Sequence, residues 1–257
     1  MSKDKSMKSC TLWYESQTGQ QALAHLDEYI SEYLSSIFGY YCLNIGILSD
    51  REAFLENSRI SAGFSIGFDK TRNDLVAKPE QLPIAADNVD LVIASHVLEY
   101  SQHPHQVLRE IDRVLVPEGH CILIGFNPHT LRGMKRFLTS SKKKDKRYKM
   151  RSVSHVRDWF SLLGFETLEV NYVGFRPTIK NESIFNKMAW MEKWGEKLWP
   201  FLGSLYIIHA KKKVVSMTPH KKVWKAPILI TGGKVALNRT AQRVRRTHFS
   251  SNRSPTP

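Results

Sequence analysis

The chain has 257 residues, 42% of them hydrophobic, and a formal net charge of +14. That size suits one sizeable domain with extensions, and no run approaches the ~18–20 apolar residues of a membrane span. The charge is unevenly placed: residues 211–257 hold twelve Lys or Arg and no Asp or Glu, residues 139–151 contribute +6, and the rest is −4, which excludes a uniformly basic globule.

The N-terminus, "MSKDKSMKSCTLWYES", is charged and lacks the apolar core of a secretion signal. Cys10, Cys42 and Cys121 stand apart with no CxxC pair. That spacing argues against a disulfide framework or a zinc site and for a reducing compartment, the cytoplasm. Residues 20–38 place Leu23, Leu26, Ile30, Tyr33, Leu34 and Ile37 on one helical face, with Gly39 as the stop. "YYCLNIG" follows as a strand, 51–59 as a short helix, and "RISAGFSIGF" as a strand weakened by two glycines.

"LPIAADNVDLVIAS" reads as a turn and then a strand over Val89–Ala94. "HPHQVLREIDRVLVPEG" is a helix with Val107, Leu108, Ile111, Val114 and Leu115 inward, ended by Pro117 and Gly119. "HCILIGFNP" is a further buried strand, and a basic loop covers 139–151. Beyond it a helix capped by Ser152 or Ser154 stops at Gly164 and gives way to a strand. An aromatic-rich helical segment over 183–199 leads to Pro200 and the last strand, "GSLYIIHAKKK". Apolar strands alternating with amphipathic helices imply an α/β fold, a mostly parallel sheet covered on both faces. Ligands then sit beyond the C-terminal strand ends, just after Ile45, Ile93 and Ile124. The expected domains are an N-terminal extension (1–19), the α/β domain (20–219) and a basic, disordered tail (220–257).

The stretch "LPIAADNVDLVIASHVLEYSQHPHQVLREIDRVLVPEGHCILIGFNP" (82–128) resembles class I S-adenosylmethionine-dependent methyltransferases. Within them, "HPHQVLREIDRVLVPEGH", "GFNPHTLRGMKRF" and "PFLGSLYIIHAKKK" look like the YafS-type proteins of gamma-proteobacteria over roughly residues 12–219. The resemblance implies a three-layer Rossmann-like sheet of seven strands, the last antiparallel, binding S-adenosylmethionine. Its glycine loop is expected at "LNIGILSD". There Asn44 stands at the acid position, Gly46 keeps the first glycine, Ile47 follows, and Leu48 and Asp50 replace the other two. The two replacements place the cofactor farther from the backbone, or exclude it.

Asp69 is the candidate acidic residue for the ribose hydroxyls, or else a turn aspartate. Lys78 and Pro79 fall where the family's adenine contacts lie, and neither can make them, which leaves Leu82 as an apolar wall. Ser95 and His96 fall where the family lines the methionine part of the cofactor. His96 could bind the carboxylate, orient substrate or act as a base, or be a buried histidine satisfied by a carbonyl. Asn127 could hold a substrate donor or cap the helix beginning near Leu131, while Glu99 and Arg109 make structural helix contacts. Aromatic residues from Phe175 to Trp199 form either a lid or core. The function implied is methyl transfer to an acceptor by in-line displacement. The alternative is an inactive methyltransferase-fold binding protein, RNA-associated through residues 211–257, whose bland counterpart is a solvated tail.

Overall fold

The computed structural model describes residues 10–54, 58–67, 69–130, 149–175 and 200–213. All of them lie in Met1–Val215, the first of the two units into which the chain divides. The basic loop up to residue 148, the aromatic segment 183–199 with Phe185, Trp190, Trp194 and Trp199, Leu131, and the tail from 214 onward lie outside the described residues.

The first long helix, α1 (Gln17–Ser36), begins earlier than its periodicity predicts. Ser16 caps it, its Oγ accepting from the Gly19 N–H at 3.2 Å. Gly19 sits in that first turn because residues 13–14 press against it: a Cβ there would lie 2.1 Å from the Trp13 carbonyl oxygen. Leu26, Ile30 and Leu34 are fully buried, each contributing about 1.5–3 kcal/mol by leaving water. The helix ends at Ser36, so Gly39 is not its stop. Gly39 instead lies inside β1 (Phe38–Gly46), where a side chain would collide with Asp90.

The described part of the connection from β1 to β2 (Arg59–Gly67) is a turn over residues 47–50 followed by a 3-10 turn (Glu52–Phe54). Then come β3 (Leu75–Val76), β4 (Val89–Ser95), the one-turn helix α2 (Val97–Tyr100) and α3 (Pro104–Val114). The predicted end of α3 at "PEG" is wrong by several residues. The helix stops at Val114, and β5 (Leu115–Phe126) already pairs Leu115 with Val89 before an excursion returns it to register at His120 and Leu91. Glu118 takes a positive φ of 64° inside that excursion. Ser152, not Ser154, caps α4 (Val153–Leu162). Gly164 turns the chain with φ 86° into β6 (Phe165–Val173), and a 3-10 turn (Pro200–Leu202) precedes β7 (Leu205–Lys212).

The seven strands form one sheet in the order β3-β2-β1-β4-β5-β7-β6. Pairings from β3 through β5 are parallel, and β7 runs antiparallel to both neighbours. This is the α/β methyltransferase sheet that the resemblance implies. One face packs Cys42, Leu91 and Ile122 against α1, and the other packs Leu43, Val92 and Leu123 against α3 and α4. Alternate side chains of one strand thus enter different layers. Among the described residues no helix is long and apolar enough to cross a membrane.

Candidate active site

The C-terminal ends of β1, β4 and β5 converge on one patch, held by side chains where glycines were expected. Gly46 ends β1 with φ 112°, and a Cβ there would meet the Ser95 carbonyl oxygen at 1.9 Å. The Ile47 N–H donates to that carbonyl at 3.1 Å, and the Leu48 N–H donates to Ser95 Oγ at 2.9 Å. Ser95 Oγ in turn donates to the Ile45 carbonyl at 3.0 Å. Asn44 Nδ2 donates to the Leu48 carbonyl at 3.2 Å, closing the loop from the other side. Leu48 is buried in the cluster beneath α1, and Asp50 lies 3.5 Å from Arg72 Nη1. Each replacement of a family glycine therefore has its own partner.

Asn44 Oδ1 is buried and accepts no hydrogen bond. Asn44 is among the residues lining a polar cleft of about 410 Å3, with Ser49, Arg51, Ser65, Arg72 and Asn73. That volume falls in the range of small-molecule sites. Leaving such an acceptor unpaired costs about 1–3 kcal/mol, so a ligand that donates to it recovers stability. Asp69 lies just past β2, exposed, and its Oδ1 accepts from the Thr71 N–H at 3.0 Å and from Thr71 Oγ1 at 2.8 Å. These bonds hold its carboxyl below the usual range.

The turn after β3 is fixed from α3. Glu110 Oε2 accepts from the Leu82 N–H at 2.9 Å, and Arg113 donates to the Leu82 and Ile84 carbonyls at 3.0 and 2.8 Å. Leu82 itself is buried in the cluster under α3. Two residues past Lys78, Glu80 Oε1 accepts from Ser101 Oγ at 2.7 Å while its Oε2 is buried without a partner. Sequence reasoning missed Glu80, although a carboxylate so close to the failed position 78 was the available signal.

Beyond β4, His96 stands in the left-handed region (φ 56°, ψ 18°) and is fully buried. A non-glycine residue held there costs about 1–3 kcal/mol and persists only where its surroundings fix it. Those surroundings are aromatic and polar at once. The ring stacks on Phe126 at 4.3 Å, and Trp13 meets Phe126 edge-on at 5.0 Å. His96 Nδ1 lies 3.2 Å from Glu99 Oε1, and His96 Nε2 lies 2.5 Å from the Tyr14 hydroxyl. Glu99 Oε1 also accepts from the Phe126 N–H at 2.7 Å. With the proton on Nδ1, His96 donates to Glu99 and leaves Nε2 to accept from the Tyr14 hydroxyl. Glu99 thus does more than stabilise its helix, whereas Arg109 is exposed on α3.

Asn127 follows β5 with every side-chain atom engaged. Its amide donates to the Phe201 and Gly203 carbonyls at 2.7 and 2.9 Å, and its Oδ1 accepts from the His129 N–H at 3.0 Å. It staples β5 to the turn before β7. The structure brings Asn44, Gly46, Ile47 and Ser95 together and sets His96 directly after Ser95, while Leu82 lies in the core beneath α3 and Asp69 on an exposed turn.

Residues 61–123 match the family model described as a methyltransferase domain. The chain is 29% identical over 211 residues to the uncharacterized protein YafS of Escherichia coli K12, covering 80% of this chain and 82% of that protein. Its fold resembles a SAM-dependent methyltransferase of Thermotoga maritima described as a possible histamine N-methyltransferase, with TM-score 0.57, 16% identity and coverage of 80% and 96%. A SAM-dependent methyltransferase from Archaeoglobus fulgidus gives TM-score 0.53 at 19% identity, over 79% and 99% of the two chains. With the strand order, these likenesses show the fold of S-adenosylmethionine-dependent methyltransferases, and residues 61–123 match the methyltransferase-domain model within it.

Proposed function

We propose that this chain transfers a methyl group from S-adenosylmethionine to an acceptor held beyond the C-terminal ends of β1, β4 and β5. The observation that carries the reading is Asn44 Oδ1, a buried acceptor without a partner beside the cleft at the β1 loop. The cofactor offers donors that such an atom lacks, an ammonium and ribose hydroxyls. Glu80 Oε2 supplies a second unpaired acceptor in the turn where Lys78 and Pro79 cannot serve, and it suits the adenine amino group. Once bound, S-adenosylmethionine brings an already electrophilic methyl group, so the protein's share of catalysis is positioning and exclusion of water. The bonds that the Asn44, Ser49 and Ser95 side chains make to the backbone of Gly46 and Leu48 keep the loop shaped without the family's second and third glycines.

Calorimetric titration of the full chain with S-adenosylmethionine and with S-adenosylhomocysteine tests this reading. Saturable one-to-one binding of both is expected. No saturable heat with either up to millimolar concentration would overturn it.

A further inference from the structure

We infer that Tyr14, His96 and Glu99 form a proton relay in which the Tyr14 hydroxyl takes the proton of an acceptor hydroxyl during methyl transfer. The inference deepens the proposed function and rests on it. Three observations support it beyond the distances of 2.5 and 3.2 Å that link the three side chains. The relay lies at the switch between β1 and β4, the place where sheets of this kind bind ligands. His96 is buried and held by its neighbours in a left-handed backbone conformation, which fixes its ring between Tyr14 and Glu99. Residues 10–14 are fastened so that Tyr14 cannot drift: Gln20 Nε2 donates to the Tyr14 carbonyl at 2.9 Å, and Ser16 Oγ donates to the Trp13 carbonyl at 2.5 Å.

The proton path has one direction. The acceptor's O–H proton passes to Tyr14 Oη as Tyr14's own proton passes to His96 Nε2, and the O–H electron pair stays on the acceptor oxygen. His96 then carries a positive charge between Tyr14 and the Glu99 carboxylate, and it releases the proton after the product leaves. Burial pushes the Tyr14 hydroxyl well above its ordinary range, so the resting phenol is neutral and a hydrogen-bond donor. Cys10, Glu99 and Tyr100 push it the same way electrostatically, and Arg51 opposes them. An acceptor that is already a carboxylate has no proton to give and is excluded by the relay; with the hydroxyl acceptor inferred here the product is an ether.

Nitrogen-15 NMR of the full chain reads the His96 tautomer. A protonated Nδ1 with a bare Nε2 is expected, and the opposite tautomer overturns the relay. The second measurement supplies tritiated-methyl S-adenosylmethionine with a protein-free cell extract. Tyr14→Phe is expected to bind S-adenosylhomocysteine within about threefold of wild type yet transfer label about 100-fold more slowly. Glu99→Gln, which keeps the volume and removes the charge, gives the same separation should Tyr14→Phe not fold. Labelled product that survives alkali and is identified by mass spectrometry as a methyl ether supports the relay, and a methylamine or thioether alone overturns the hydroxyl acceptor. Equal transfer by Tyr14→Phe, alkali-labile methyl ester alone, or no labelled product from wild type each overturns it. A wild type that binds no cofactor instead defeats the methyltransferase reading, whereas one that binds and carries the wrong His96 tautomer defeats only the relay.

Discussion

Gly46 and Ser95 approach so closely that a methyl group on Gly46 would overlap the Ser95 carbonyl oxygen, 1.9 Å from the Cβ position. Both ends of the contact are backbone, so no rotamer change relieves it. Gly46→Ala therefore lowers stability by about 3 kcal/mol or more, read by urea unfolding. Gly164→Ala is the control. Its φ of 86° is also unfavourable, but its nearest neighbour is 3.8 Å away, so about 1 kcal/mol is expected. Equal losses at the two sites would show that conformation, not collision, fixes Gly46.

Asn44→Asp puts a negative charge beside the cleft in place of a neutral amide. Binding of S-adenosylmethionine, with its ammonium and sulfonium, tightens about threefold or more. Asn44→Ala removes the acceptor and weakens binding about tenfold. Both values come from the same calorimetric titration, and an Asp variant weaker than the Ala variant would place the cofactor's donors elsewhere.

Glu80→Gln keeps an oxygen for Ser101 and exposes an amide donor where Oε2 lay. Affinity for S-adenosylhomocysteine falls about tenfold, while the inosine analogue, which presents a carbonyl in place of the amino group, gains relative to it. Competition between the two ligands measures the exchange. An unchanged ratio would remove Glu80 from the adenine end.

His209 and His120 lie across β5 and β7 with their ring nitrogens 2.9 Å apart. Burial first, and the neighbouring His120 second, lower the His209 pKa to about 4. The unfolded chain binds that proton near the ordinary 6.5, so stability is intact above about pH 6.5 and declines as the pH falls towards 4. At pH 5 the loss is on the order of 2 kcal/mol. Unfolding midpoints at pH 7.5 and pH 5 should differ in wild type and converge in His209→Asn.

The sheet was legible because its central strands are almost wholly apolar runs, Val89–Ala94 being interrupted only by Asp90. Val89–Ala94 and Ile122–Phe126 could be buried only between two covering layers. Boundaries failed where one residue serves two elements. Thr18 and Gly19 are poor helix formers, and the Ser16 cap, not their propensity, starts α1 early. Pro117 and Gly119 mimic a helix stop but belong to an excursion inside β5. In the site, Asn44, Gly46 and Ser95 lay within motifs. Tyr14 did not, because it stands 82 residues from His96 and no local pattern joins them.

The two borders of the sheet deter other chains by different means. Every strand edge offers unpaired N–H and C=O groups to any passing peptide, and long flat edges nucleate aggregates. At one border Leu75–Val76 is too short to template a ladder, although both side chains are exposed. At the other, β6 is nine residues long but carries Glu166 and Glu169 and loses register between Thr167 and Glu169. Carboxylates and an irregular backbone suit a border meant to stay unpaired. Among the described residues, the long antiparallel margin at β6, at the opposite end of the sheet from β3, thus carries features that discourage a further strand from extending it.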